Sequence, residues 1–196
     1  MVRVILASSS PRRKELLSEI VDDFDIRPAD IDETILPSES AWDYVVRMAN
    51  TKALAVAHDI DELTFVMGTD TIGVVDGEIL TKPTDKAHAW AMWDKLSDNT
   101  HQILTAVCIC VAKGRQILRQ KTITVATDVQ FARLTECQKE RYWATGEPLD
   151  KAGAYAIQGG AMSWVRAING SYTSVVGLPL AQTHELLTQM TDEICP

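Results

Sequence analysis

The stretch RVILASSSPRRKELL, residues 3–17, decides how the fold begins. Residues 3–7 form a short aliphatic and β-branched run, which is typical of a buried strand. Ser10 suits a helix N-cap and Pro11 the first helical position, so the strand is predicted to lead directly into a helix. That helix is expected to turn three apolar residues inward, namely Leu16, Leu17 and Ile20.

The rest of the chain continues this alternation of strands and helices. Strands are predicted at FDIRP (ending at Pro28), at TFVMGTD, in two long runs joined near Lys113-Gly114, and at SWVRAI and SYTSVV around the turn Asn169-Gly170. Asp76-Gly77 is a strong hairpin signal. Helices are predicted with an apolar stripe that includes Trp42, after a cap at Thr84, after the capping box Thr135-x-x-Gln138, and near Pro179.

This mixture of alternation and hairpins predicts an α/β protein with a mixed sheet and helices packed on it. No Pro, Gly or Ser-rich linker divides the chain. Residues 1–196 are therefore expected to form a single domain, with two lobes around a groove.

Composition excludes some classes of function. The formal charge of −8 argues against non-specific nucleic-acid binding, which needs a basic face, but it does not exclude a small anion in a locally basic pocket. The four cysteines show no metal-binding spacing, and Cys108 and Cys110 are interpreted as small buried hydrophobes. The N-terminal apolar run is too short for a signal peptide and no stretch would span a bilayer, so we expect a cytoplasmic protein without membrane contact.

The serines and arginines of residues 8–13 form the first candidate site. Free N–H groups, the Ser8 hydroxyl and the positive end of the helix dipole would meet at one spot, which favours phosphate. Arg12 and Arg13 stand where acidic residues are normally preferred, which suggests a ligand. The alternative, a surface helix whose arginines pair with distant acids, stays open.

Other candidates are weaker when each is taken alone. Asp70, in Thr-Asp-Thr where an apolar strand is expected to end, could hold a divalent cation or take a proton from water, although a capping role is commoner. Lys52, Lys82 and the acidic pair Asp32-Glu33 also fit ordinary surface positions.

The segment KAGAYAIQGGA, residues 151–161, is rich in small residues, and its Gln158 amide could recognise a base or sugar. Asp85 in TKPTD is a candidate helix cap. The chain contains no P-loop, no dinucleotide fingerprint and no nucleophile elbow, and its four histidines are scattered. Any chemistry is therefore expected to depend on carboxylates and cations.

Read together and in order, these stretches resemble the Maf (septum-formation inhibitor) family of nucleotide pyrophosphatases. The matching pieces extend from Leu6 to Pro179: LASSSPRR, DIDE, the helix bearing Lys52, TDT, K-P-x-D, AGAYAIQGGA and INGSYTSVVGLP. The resemblance implies an elongated, twisted mixed sheet flanked by helices, with a cleft between two lobes as in inosine triphosphate pyrophosphatases. It also implies a cytoplasmic, often dimeric enzyme that uses Mg²⁺ or Mn²⁺ to cleave nucleoside triphosphates between the α- and β-phosphates.

The resemblance also suggests roles for particular residues. Asp70 would accept a proton, and substrate choice would depend on Arg12, Thr71 and Gln158. The charge of a triphosphate suggests the other roles: Asp70, helped by Glu33, would bind the metal or orient the attacking water. The phosphates would be bound by Ser8, Arg13, Lys52 and Lys82.

The I-Q-G form around Gln158 is similar to the branch of the family that prefers dTTP and UTP, so these are the expected substrates. Thr81, Ser174 and Gly68-Thr69 depart from the family's usual residues and could shift the substrate range. An alternative function is a non-catalytic nucleotide-binding regulator of cell division. An architectural nucleic-acid binder fits the charge poorly.

Overall fold

The structure is a computed structural model that describes residues 2–194. Its strands are β1 Arg3–Leu6, β2 Asp25–Ile26, β3 Thr64–Val75, β4 Glu78–Leu80, β5 Thr100–Lys113, β6 Gln116–Phe131 and β7 Val165–Asn169. Its α-helices are α1 Pro11–Ser18, α2 Ala41–Ala57, α3 Lys86–Leu96, α4 Glu136–Trp143, α5 Tyr172–Val176 and α6 Leu180–Ile194. Short 3₁₀ turns lie at Glu147–Asp150, Ala152–Ala154 and Gly160–Trp164.

Within these residues the strands form one mixed sheet in the order β2-β1-β3-β5-β6-β7, with β4 paired to β3. β1 is parallel to both β2 and β3, whereas β4 and β7 pair antiparallel to their neighbours. The predicted mixed α/β class is confirmed. The residues group into two compact units: unit 1 is the chain up to Thr71, Thr105–Val125 and the chain from Gly177 on, and unit 2 is Ile72–Leu104 with Ala126–Val176.

Unit 1 has an aliphatic core on one face of its strands. The core joins β1, β3 and β5 to α1 and α6 through buried residues such as Leu6, Leu17, Met67, Ile109 and Leu187. Because side chains alternate along a strand, the opposite face of β3 is left for α2, which rests there. The predicted start is confirmed, since Ser10 caps α1 and Pro11 follows it.

Unit 2 is built around aromatic rings instead. Trp93 and Trp164 are fully buried and stand 5.2 Å apart, centroid to centroid, at nearly a right angle. Edge-to-face contacts of this kind add stability beyond the area they bury. The cluster continues through Trp90, Tyr142, Trp143, Phe131, Tyr155 and His101.

Three local predictions are wrong. SYTSVV forms α5 rather than a strand, because the Ser171 hydroxyl accepts from the Ser174 N–H at 3.2 Å and starts a helical turn. The cap at Thr84 is wrong and the alternative cap at Asp85 is confirmed, since the Asp85 carboxylate accepts from the His88 N–H at 2.7 Å. Trp42 lies in the first turn of α2 and is 48% exposed, so it is not part of the buried stripe.

Other local predictions are confirmed. The Asp76-Gly77 hairpin, the capping box at Thr135 and the two long strands flanking Gly114 all form. Cys108 and Cys110 are buried, while Cys195 lies outside the described residues. No described helix is long and apolar enough to cross a membrane.

Candidate active site

Strand β3 and helix α2 come into very close contact at Gly68. A Cβ atom at this position would lie 2.3 Å from the Ala49 carbonyl oxygen and 2.4 Å from the Ala53 nitrogen. No side chain fits there, so only glycine allows the strand and helix to pack this tightly. The approach brings Lys52, one residue before Ala53, against the next residues of the strand.

The sequence suggested that Asp70 stands at the end of a strand, but the structure places it elsewhere. β3 continues without a break from Thr64 to Val75, and Asp70 lies near its middle. The threonines on either side explain the difference, because β-branched residues favour extended backbone even where the apolar run stops. The carboxylate is therefore carried by continuous β-structure.

Lys52 links two carboxylates. Its Nζ atom lies 2.6 Å from Asp70 Oδ1 and 2.7 Å from Glu33 Oε1. The side chains of Lys52 and Asp70 are only 11% and 12% exposed, whereas that of Glu33 is 52% exposed. The cluster thus has an inner, nearly dry acid on the sheet and an outer acid on the surface, with one ammonium between them.

Arg13 forms a second cationic position in unit 1. Its guanidinium donates to the Gly177 carbonyl at 3.1 Å, to Ser8 Oγ at 3.4 Å and to Thr71 Oγ1 at 3.2 Å. Thr71 Oγ1 is in turn 3.0 Å from Thr105 Oγ1. Three neutral acceptors thus fix the direction of the guanidinium without neutralising it.

The charge of Arg13 is balanced only from a distance. Burial lowers its pKa, while the negative charges of Asp70 and Glu33 act in the opposite direction and Arg12 acts with burial. Within residues 2–194 no carboxylate forms an ion pair with Arg13. A partly buried cation held by neutral groups is a suitable position for an anionic ligand.

The remaining members of the first motif lie beside Arg13. Ser8 is buried, and its hydroxyl also accepts from the Ser10 N–H at 3.2 Å. Arg12 is partly exposed and makes no hydrogen bond or ion pair in the part of the chain that is described. Six of the predicted residues thus fall into two contact groups in unit 1. They are Ser8, Arg13 and Thr71 in one group, and Lys52, Asp70 and Glu33 in the other.

Lys82 and Gln158 lie in unit 2. Both are exposed, and neither makes a hydrogen bond or ion pair among residues 2–194. Their segments are joined by a bond from the Gly153 N–H to the Thr81 carbonyl at 3.0 Å. The structure therefore links the K-P-x-D loop to the small-residue motif, while both side chains stay available to a ligand.

Glu147 fixes the turn that follows Gln158. Its carboxylate accepts from the Gly160 N–H at 2.8 Å. A Cβ atom at Gly159 would lie only 1.8 Å from Glu147 Oε1, so the carboxylate rests directly on the glycine backbone. The two glycines are thus needed for a close packing contact, which the sequence alone had left as a simple turn.

Sequence reasoning missed several residues that shape the site. Tyr44 on α2 donates from its hydroxyl to the Glu33 carbonyl at 2.9 Å. Burial raises the pKa of Tyr44 to about 12, and the charges of Asp70 and Glu33 contribute. The Gly177 carbonyl accepts from both Arg13 and Thr69. These contacts are long-range, so no local sequence pattern would have revealed them.

Asp70 and Glu33 offer carboxylate oxygens of the type that divalent cations take as ligands. Mg²⁺ is commonly held by one or two carboxylates together with substrate phosphates and water, rather than by a cage of protein ligands. Asp70 and Glu33 both direct an oxygen at the Lys52 ammonium, so they already converge on a cation. In the described residues no group of three or more His, Cys, Asp or Glu side chains forms a complete metal site.

Fold and site together define an α/β protein with a carboxylate–ammonium–carboxylate cluster near a partly buried arginine. The chain belongs to the family described as Maf-like protein, whose profile matches residues 3–190. The family inferred from the sequence motifs is thereby confirmed.

Individual relatives support the same grouping. The chain is 50% identical to a dTTP/UTP pyrophosphatase of Escherichia coli O157:H7, with 96% of this chain and 93% of that one covered. It is 43% identical to a dTTP/UTP pyrophosphatase of Idiomarina loihiensis, with 98% of each chain covered. A HAM1 protein from Coxiella burnetii has a similar fold, with a TM-score of 0.50, 14% identity, and 96% of this chain and 100% of that one covered.

Proposed function

We propose that this protein is a nucleoside triphosphate pyrophosphatase that hydrolyses dTTP and UTP to the monophosphate and pyrophosphate. The observation that carries the proposal is the Lys52 ammonium held between Asp70 and Glu33. This arrangement combines a candidate base, a cation for phosphate and the ligands for a metal in one place. The dTTP/UTP pyrophosphatases that match nearly the whole chain support the choice of substrate.

The cations are suited to a polyphosphate. Arg13 can contact two phosphate oxygens with its planar fork, and Arg12 has no protein partner that competes in the described part of the chain. Lys52 and Lys82 add compact charge. Together they would offset the negative charge that grows on the departing pyrophosphate.

Asp70 is the proposed general base. Its Oδ1 is engaged by Lys52, and Oδ2 accepts no hydrogen bond within residues 2–194. A water held at Oδ2 would give its proton to Asp70 as its oxygen bonds to phosphorus, and the bond between the α- and β-phosphates would break. Pyrophosphate then leaves with the bonding electron pair.

Asp70 and Glu33 would hold Mg²⁺ or Mn²⁺. The bound cation would neutralise phosphate charge and lower the pKa of water. Thr71 and Gln158 are proposed to contact the pyrimidine, with Arg12 contributing to substrate choice. The protein is further proposed to act in the cytoplasm as a homodimer, without nucleic-acid or membrane partners.

The test is pyrophosphate release by the purified protein from a panel of triphosphates, with the variant Asp70→Asn. We expect dTTP and UTP to be preferred, and Asp70→Asn to fold normally but lose about 100-fold or more in rate. Asp61→Asn, an exposed acid outside the site, serves as the matched control. Wild-type rates in Asp70→Asn at saturating metal would refute the assigned base, and equal rates on guanine nucleotides would refute the role of Gln158.

A regulator without catalysis is the less supported alternative, because the matching relatives carry enzyme names. Tight dTTP binding by the wild-type protein with no pyrophosphate release at any metal concentration would favour it instead.

A further inference from the structure

The segment that carries Glu33 has no regular structure of its own. Residues 32–39 contain no helix or strand, and most of them are exposed. The position of such a segment depends on the side chains that hold its backbone groups. The position of Glu33 must therefore be set by side chains from another part of the molecule.

Two side chains from α2 hold consecutive carbonyl groups of this segment. The buried Tyr44 hydroxyl donates to the Glu33 carbonyl at 2.9 Å. Arg47 Nη2 donates to the Thr34 carbonyl, also at 2.9 Å. Because Lys52 belongs to the same helix, one rigid element holds both the backbone of Glu33 and the partner of its carboxylate.

Arg47 is itself held in a fixed geometry. Its guanidinium contacts both oxygens of Glu39, at 2.5 and 2.7 Å, and lies 5.4 Å from the centroid of the Tyr44 ring. The Glu39 carboxylate also accepts from the Leu36 N–H at 3.0 Å. The hydrogen bonds from Arg47 lower the pKa of Glu39 to about 2, so the pair stays charged over the working pH range. A forked Arg–carboxylate pair of this kind is directional, and a lysine would not reproduce it.

We infer that Tyr44 and Arg47 are positioning residues for Glu33. By holding the carbonyl groups of Glu33 and Thr34, they set where the Glu33 carboxylate stands beside Lys52. Both residues are thus assigned a role through Glu33 and not through contact with the substrate. The inference rests on the proposed function, since it assumes that Glu33 helps to hold the metal and the triphosphate.

The first test uses Tyr44→Phe and Arg47→Lys, with Arg3→Lys as control because Arg3 forms an exposed pair with Asp25 away from the site. We expect the Mg²⁺ concentration for half-maximal dTTP hydrolysis to rise about three- to tenfold in both α2 variants and to stay unchanged in the control. A calorimetric titration with Mn²⁺ and α,β-methylene dTTP should show the same loss without turnover. Hydrogen exchange in residues 32–39 should quicken in the α2 variants, whereas exchange in α6 should not.

The second test separates positioning from general stabilisation. Tyr44→Phe is combined with Glu33→Gln in a double-mutant cycle. If Tyr44 acts through Glu33, its effect on the metal requirement disappears in the Glu33→Gln background. An effect of the same size in both backgrounds would overturn the inference, as would unchanged metal requirement and unchanged exchange in the single variants.

Failure of the inference is distinguishable from failure of the proposed function. If the wild-type protein releases no pyrophosphate, the proposed function fails, and the exchange and titration measurements alone decide whether the two residues hold Glu33. If Asp70→Asn abolishes turnover while Glu33→Gln leaves rate and metal requirement unchanged, the function stands and the inference fails.

Discussion

Unit 1 concentrates charge at its site, whereas unit 2 concentrates aromatic rings in its core. In unit 1 an aliphatic core supports β3 and α2, which hold Lys52 and Asp70 in contact. In unit 2 four of the five tryptophans belong to one aromatic cluster. Trp93 Nε1 donates to the Ala154 carbonyl and the Tyr142 hydroxyl accepts from the Ala156 N–H, so the rings also satisfy backbone groups of the Gln158 motif.

The difference shows two ways to fix a functional segment. In unit 1 a β-strand and a helix hold the side chains of the site through their own regular backbone. Small residues between the two elements allow them to pack closely. The irregular chain of residues 151–161 has few backbone partners of its own, so unit 2 surrounds it with large rigid side chains that have polar ends. Disturbing each region should therefore have different consequences.

The largest expected effect on stability is in the aromatic cluster. Trp164 is 2% exposed and touches the rings of Trp93, Phe131 and Tyr142. Trp164→Ala should lower the free energy of unfolding by about 3–5 kcal/mol, measured by chemical denaturation, because a large cavity is left. Trp42→Ala is the control and should cost less than about 1 kcal/mol. Equal costs for the two variants would show that the cluster is not the core of unit 2.

A methyl group at Gly68 should act on the site more than on stability. Gly68→Ala forces β3 and α2 apart and should cost about 1–3 kcal/mol in unfolding free energy. Pyrophosphate release should fall at least tenfold, because Lys52 moves relative to Asp70. Gly73→Ala on the same strand has its one tight contact, at 2.9 Å, with the flexible end of Leu80 and should be milder in both assays. A Gly68→Ala protein with the activity of Gly73→Ala would contradict the argument.

The aromatic cluster should also make stability depend on pH through His101. Burial lowers the pKa of His101 to about 4 from its usual value of about 6.5. The unfolded chain therefore binds a proton at higher pH than the folded chain, so stability is fully present above about pH 6.5 and is lost as pH falls toward 4. The free energy of unfolding should therefore fall by about 2 kcal/mol between pH 7 and pH 5, measured by chemical denaturation at each pH.

His101→Gln tests the source of that loss. The variant should remove about 2 kcal/mol of the pH dependence, while His184→Gln, an exposed control, should leave it unchanged. Identical pH profiles for wild type and His101→Gln would assign the loss to other groups.

The smallest effect is expected from a surface ion pair of unit 1 that takes no part in the Lys52 cluster or in the aliphatic core. Arg115 and Asp61 form a 3.2 Å pair whose side chains are largely exposed. Arg115→Gln should change the unfolding free energy by less than about 1 kcal/mol, since solvent screens such pairs. Thermal melting checks this, and a change as large as that of Gly68→Ala would mean that surface charge, not packing, sets stability.

The sequence predicted the alternation of elements well because caps and hairpin turns are local signals. Ser10-Pro11, the capping box at Thr135 and Asp76-Gly77 each depend on neighbours within a few residues. SYTSVV was predicted wrongly because its β-branched composition favours a strand, whereas the Ser171 cap, a competing local signal, starts a helix.

The site was predicted only in part for a related reason. The motifs identified charged residues, and their resemblance to a family supplied roles that spacing alone could not. The sequence did not predict that Asp70 lies inside a strand, or that Gly68 acts through contact with α2. Tyr44 and Arg47 were missed because they act on backbone groups 11 and 13 residues away.

The mid-strand position of Asp70 has a consequence for the timing of turnover. Asp70 lies within the continuous strand β3, so we expect its backbone to stay fixed on the microsecond scale. We therefore expect rearrangements during turnover in irregular chain such as residues 32–39 and not at Asp70. Relaxation-dispersion measurements should accordingly find conformational exchange at the amides of that segment and none at the Asp70 amide.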